Sequence, residues 1–131
     1  MLVRSIAILL LAVSLAGCGS TDTSVTVQWR DHPELGQILT DGAGLTLYIF
    51  SNDEGSDSTC YGGCAVNWPP LLDDDPSAAA DVPGALGTTT RDGGDVQVTY
   101  NGQPLYYFHT DEAPGDANGQ GVGGIWFVVE A

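Results

Sequence analysis

The chain has 131 residues, 17 of them acidic, three arginines (Arg4, Arg30, Arg91) and no lysine, for a formal net charge of −14 at pH 7. Such a field repels nucleic acid and anionic lipid head groups, so neither is expected as a partner; it suits a solvated acidic surface and would draw cations or a basic partner. Helix formers are scarce beside 18 glycines and abundant Thr, Val and Asp, which favours strands and turns.

The N-terminus reads as a targeting segment. Met1–Ser5 carries one positive charge, and the apolar run Ile6–Leu15, broken only by Ser14, is too short for an ordinary membrane span. It ends in Leu15-Ala16-Gly17-Cys18, a branched apolar residue, two small residues and a cysteine. That is the pattern of a bacterial lipoprotein signal, in which the Cys thiol takes a diacylglyceryl group and becomes the new N-terminus. The other reading is a secretory signal that happens to contain a cysteine. The lipoprotein reading gives a signal peptide at residues 1–17, a lipidated tether at residues 18–24 and a folded domain at residues 25–131. Two acyl chains on Cys18 would suffice for stable anchoring, so the lipid bilayer is the expected partner. The domain would then lie outside the cytoplasm, on the cell membrane or the outer membrane. The 114 residues after the signal make one domain by length.

Val25–Trp29 alternates apolar and polar residues, which predicts a strand with one buried face, followed by a turn through Pro33. Gly36–Thr40 and Leu45–Phe50 are expected as strands joined through Asp41-Gly42-Ala43-Gly44. Ser51–Thr59 is polar loop. Cys60–Cys64 follows, with room for one short helical turn before Pro69 and Pro70 end it. Asp73–Gly84 is expected as an exposed connection. Thr88–Thr90 leads into a turn at Arg91–Asp95. Val96–Tyr100 and Gln103–His109 flank Asn101-Gly102, the strongest hairpin signal present. Thr110–Gly124 reads as a Gly-rich loop, and Ile125–Val129 as a short, fully buried closing strand.

Part of this order is written twice. Leu47–Glu54 and Leu105–Glu112 agree at five of eight positions, at an offset of 58 residues that also relates Gly44 to Gly102, Gly63 to Gly121 and Trp68 to Trp126. Two copies do not make a solenoid. The expected fold is therefore mainly β: a small single domain of two related β-hairpin units (residues about 36–72 and 94–131), with approximate internal two-fold repeat, two terminal strands and one short helical turn. Tyr48 and Phe50 share a strand face, as do Tyr106 and Phe108, so the four rings are expected to form one aromatic layer.

The residues also carry a resemblance. Tyr-x-aromatic-x-x-Asp occurs as Tyr48/Phe50/Asp53 and as Tyr106/Phe108/Asp111. Ser58–Ala65 with Trp68-Pro69-Pro70 lies between them, and Pro114–Gly121 after them. From about Gly36 onward the chain resembles the bacterial secreted repeat of unknown function, predicted lipoproteins that bear this motif. The resemblance implies an extracytoplasmic location and a repeated architecture, and no established activity.

Several residues are candidates for chemistry. Cys60 and Cys64, in an oxidising compartment, are expected as a structural disulfide; the sharper reading is a redox pair, or a thiolate metal site completed by His109. Asp116-Ala117-Asn118-Gly119-Gln120-Gly121 imitates the start of a calcium loop, yet its twelfth position is Phe127, so a turn bonded to its own backbone is the plainer reading. Asp53 and Asp111 would form an acid/base pair if brought together, although repetition argues for an architectural role. No nucleophile-elbow, phosphate-loop or zinc-protease motif is present. The expectation is a non-enzymatic envelope lipoprotein without cofactor, metal or catalytic residues, which binds an envelope protein or small ligand. Its alternative is extracytoplasmic redox or metal handling through Cys60, Cys64 and His109.

Overall fold

The computed structural model describes residues 22–131. The signal segment and Cys18 lie outside the described residues. The strands are β1 (Val27–His32), β2 (Gly36–Asp41), β3 (Tyr48–Phe50), β4 (Leu86–Thr90), β5 (Val96–Tyr100), β6 (Gln103–Pro104) and β7 (Trp126–Val128), with one short helix, α1 (Gly63–Asn67). The mainly β, two-unit architecture is therefore present.

Each half begins as an antiparallel meander. β1 pairs with β2 from Val27↔Asp41 to His32↔Gly36, and β4 pairs with β5 from Leu86↔Tyr100 to Thr90↔Val96. These two pairs match at an offset of 59, not 58. The first half has one residue more in the turn after β2: Asp41 N donates to Leu45 O (2.9 Å) around Gly42-Ala43-Gly44, whereas Tyr100↔Gln103 close on Asn101-Gly102 alone. Asn101 (φ 50°) and Gly102 (φ 80°) both occupy the left-handed region, as a two-residue hairpin turn demands. The repeat thus reaches back to β1 and β4, ahead of the 36 and 94 expected from identities. β4 is a strand where only a lead-in to a turn is expected.

The two halves exchange their C-terminal tails. Leu39 N donates to Val129 O (2.9 Å), and the equivalent Val98 N donates to Leu71 O (2.9 Å). Ser51 N donates to Ile125 O (2.8 Å), and His109 N to Asn67 O (2.9 Å). So β7, from the second copy, pairs with β3 of the first, and Asn67–Leu72 of the first copy lies along the second hairpin. At the centre Tyr48 and Tyr106 exchange both backbone bonds (2.8 and 3.0 Å) across an approximate two-fold axis.

Alternation along these shared strands makes two cores. Leu39, Leu47, Leu71, Val98, Leu105 and Val129 enter an aliphatic face; their neighbours Ile38, Tyr48, Tyr106 and Val128 enter an aromatic face with Cys60, Trp68 and Trp126.

Four local expectations change. The closing strand is not fully buried: Phe127 stays 36% exposed while Trp126 and Val128 point inward. The loop before it contains a second short helical turn, a 3-10 turn at Val122–Gly124, at the position that matches α1 in the repeat. The connection Asp73–Gly84 is partly a strap: Ser77–Ala79 pair along β1, and Val82 is buried in the aliphatic core. Asp22–Ser24, expected as tether, already lie with Val25 against the β2–β3 turn, where a Cβ on Gly42 would meet Val25 O at 2.3 Å.

Candidate functional site

The repeated motif converges on the pseudo-dyad. Trp68 and Trp126 stack at 3.9 Å; Phe108 covers Trp68 at 4.2 Å and Phe50 covers Trp126 at 4.1 Å. Tyr48 and Tyr106 stand edge-on to Trp68 (5.4 Å) and Trp126 (5.1 Å). The expected aromatic layer exists, but the two tryptophans form its centre, each delivered by an exchanged tail.

Both motif tyrosines are fully buried, so their hydroxyls need partners. Each reaches the aspartate of the other copy. Tyr48 Oη donates to Asp111 Oδ2 (2.5 Å), and Tyr106 Oη donates to Asp53 Oδ2 (2.6 Å). Burial first, and then the carboxylate that prefers a proton donor, push both phenols well above the ordinary tyrosine range. The other carboxylate oxygens tie down the following loops: Asp53 Oδ1 accepts from Thr59 N and Oγ1 (2.7 and 2.9 Å), and Asp111 Oδ1 from Asn118 N and Nδ2 (2.9 and 3.0 Å). Asp53 and Asp111, weighed as an acid/base pair and expected in an architectural role, thus hold crossed structural bonds.

Behind Tyr106 lies a group that sequence reasoning missed. Arg91 is buried and donates to Ser58 Oγ (2.8 Å), Gln97 Oε1 (2.8 Å) and Cys60 O (2.6 Å), with its guanidinium 4.3 Å over the Tyr61 ring. Because Tyr106 spends its only proton on Asp53, Ser58 must donate to Tyr106 (2.6 Å), so the chain Arg91→Ser58→Tyr106→Asp53 runs from cation to anion with every donor aligned. The signal available was that Arg91 is the only cationic residue between the two motif copies. On the other side Gly119 N takes the place of Ser58 and donates to Tyr48 Oη (3.2 Å).

Cys60 and Cys64 form a disulfide (Cα–Cα 5.3 Å) between this network and α1. While it stands, neither sulfur is a free thiolate. His109 is exposed, and its Nδ1 lies 3.2 Å from Asn67 O. Among the described residues no three His, Cys, Asp or Glu side chains cluster as a metal ion needs.

The calcium-like stretch is a turn. Asp116 Oδ2 accepts from Glu112 N and Ala113 N (3.0 and 3.1 Å), which holds its carboxyl below the usual range, and Gln120 Oε1 accepts from Val128 N (2.7 Å). A polar hollow of about 330 Å3 beside it includes His32, whose Nδ1 already accepts from Glu34 N and Leu35 N.

One open cleft is lined mainly by apolar surface. It measures about 230 Å3 and is walled by Leu45, Pro69, Tyr107, Phe108, His109 and Asp111. Among its lining residues Tyr107 is held in place, since Tyr107 Oη donates to Asp41 Oδ2 (2.8 Å). Burial and then the Asp41 charge hold that phenol protonated well above the ordinary range. The copies differ here: Pro69, Tyr107 and His109 stand where the repeat has Phe127, Ile49 and Ser51.

A family model described as a secreted repeat of unknown function matches the chain twice, over residues 30–72 and 87–130. No curated protein and no solved structure matches it.

Proposed function

The chain belongs to this secreted-repeat family, and from that premise we propose a lipid-anchored extracytoplasmic protein that acts as a non-enzymatic binding or interaction module. One observation carries the non-enzymatic part: both copies of the motif spend their reactive groups on each other. Tyr48 serves Asp111 and Tyr106 serves Asp53 by the same crossed bonds. An active site does not need the arrangement twice, whereas a two-fold fold does. The surfaces that differ between copies, above all the cleft beside Tyr107 and His109, are where a ligand would be distinguished.

The anchor is supported by Leu15-Ala16-Gly17-Cys18 and by the secreted character of the family. Asp22 lies at most roughly 14 Å of extended chain from Cys18, so a lipid there would hold the domain against the bilayer by the β2–β3 turn. Labelled palmitate and detergent phase partition test this directly. The native protein should take up label and enter the detergent phase, and Cys18→Ser should do neither while keeping the same thermal unfolding. A native protein that is membrane-free and unlabelled would overturn the anchor. Catalytic turnover that is lost on Asp111→Asn while the protein stays folded would overturn the non-enzymatic reading.

A further inference from the structure

The outer edges of the two meanders are equivalent strands with unequal fates. β1 is paired along its outer side: Thr26 N and Val27 N donate to Ser77 O (2.8 and 3.2 Å), and Ala79 N donates to Val27 O (3.0 Å), in a parallel bridge at Val27↔Ala78. Leu86 of β4 occupies the position of Val27, since it opposes Tyr100 as Val27 opposes Asp41. Among the described residues, no backbone group bonds Leu86, Thr88 or Thr90 from outside.

The direction of these groups follows from the next strand. Val98, opposite Thr88, gives its N–H to Leu71 O (2.9 Å) and its C=O to Leu105 N (3.0 Å). Val98 therefore turns away from β4, and in an antiparallel ladder Thr88 must present its own N–H and C=O outward, with Leu86 and Thr90 alike. Sheet proteins blunt such edges with charge, proline or a bulge. Leu86-Gly87-Thr88-Thr89-Thr90 has none of these, and its register is unbroken.

We infer that the outer edge of β4 accepts an extended segment of a partner protein as an added parallel strand. The segment has small uncharged side chains and basic flanks. Ser77-Ala78-Ala79 on β1 is the template for orientation and side-chain size. The flanking charge follows from the protein's −14 and from Asp92 and Asp95 beyond the strand end; the same charge disfavours a second copy of this chain. Main-chain bonding supplies affinity in such strand addition, and side chains supply choice. The inference rests on the interaction-module reading and is independent of the lipid anchor.

The test uses the full chain in detergent and a synthetic Ser-Ala-Ala-Ala peptide with two lysines at each end, followed by amide hydrogen exchange. Saturable binding should slow exchange at Leu86 and Thr88 roughly tenfold. A peptide N-methylated at alternate residues should not bind. Glutamate flanks should weaken binding roughly tenfold. Thr88→Pro should also abolish it, because that N–H lies outside the β4–β5 ladder. Equal binding of the N-methylated peptide, or no slowing at Leu86 and Thr88 at millimolar peptide, overturns the inference. So does dimerisation of the chain that protects these amides without peptide. Protection around Tyr107 and His109 instead would sink the β4 edge and leave the interaction-module reading standing.

Discussion

A buried phenol that bonds a carboxylate loses more on truncation than one that bonds water, and the two motif tyrosines are not equivalent in what lies behind them. Tyr48→Phe removes one charge-assisted bond to Asp111, worth roughly 1.5–3 kcal/mol, and the longer bond (3.2 Å) from Gly119 N, with no cation behind it. Tyr106→Phe removes the same bond to Asp53 and also strands the Ser58 hydroxyl and the end of the Arg91 chain. Urea unfolding should therefore rank Tyr106→Phe as the more damaging change; equal losses would mean that the Arg91 chain is idle. The same tyrosines set an alkaline limit. Tyr48, Tyr106 and Tyr107 have folded-state pKa values raised by burial and a neighbouring carboxylate. The unfolded chain therefore releases protons near pH 10 that the folded chain keeps. Their contribution is complete below about pH 10 and falls above it by about 1.4 kcal/mol per pH unit for each phenol. Urea midpoints should drop steeply above that pH, and phenolate absorbance from these three should rise only with unfolding.

The short elements between strands carry the exchanged tails, and their stability depends on loop chemistry. The Cys60–Cys64 bridge closes so short a loop that chain entropy alone gives about 2 kcal/mol. Because Cys60 O also holds Arg91 (2.6 Å), the Cys60→Ser/Cys64→Ser pair should cost at least that in a urea titration, without loss of fold. Gly119 is the counterpart on the other side: a Cβ there would lie 2.8 Å from both the Trp68 and Tyr48 rings, so Gly119→Ala should destabilise by roughly 1–3 kcal/mol, by thermal melt. At this scale the sequence was readable where chemistry is local. The Asn101-Gly102 turn, the helical turn by Cys64 and the cysteine pair are each written in adjacent residues. β4 was not, because an edge strand of Gly and Thr shows no apolar alternation. The 3-10 turn at Val122–Gly124 was not, because Gly123 and Gly124 adopt positive φ and no helix former marks it.

At the scale of the molecule, an offset of 58 says that two segments are equivalent and cannot say whose tail pairs with whose hairpin, since exchanged and unexchanged pairings share the same identities. That is why the repeat and the aromatic layer were legible while the crossed Tyr–Asp bonds and the tail exchange were not. The exchange has a consequence for folding. A chain cut after Pro83 leaves an N-terminal piece with the first hairpin but without Trp126 and Val129, and residues 84–131 with the second hairpin but without Trp68 and Leu71. Each piece then exposes half of both cores and an unpaired strand edge, which is more apolar surface than so short a chain can leave in water and stay folded. Joined, the pieces regain the Trp68–Trp126 stack, both Tyr–Asp bonds and the strand pairs Ser51–Ile125 and His109–Asn67. The two fragments should therefore be unfolded alone by circular dichroism and should fold when mixed, with the tryptophan exciton signal of the stack returning in the same step. Independent folding of either fragment would mean that each half can close on its own tail, and the crossed connectivity would then not be what holds this repeat together.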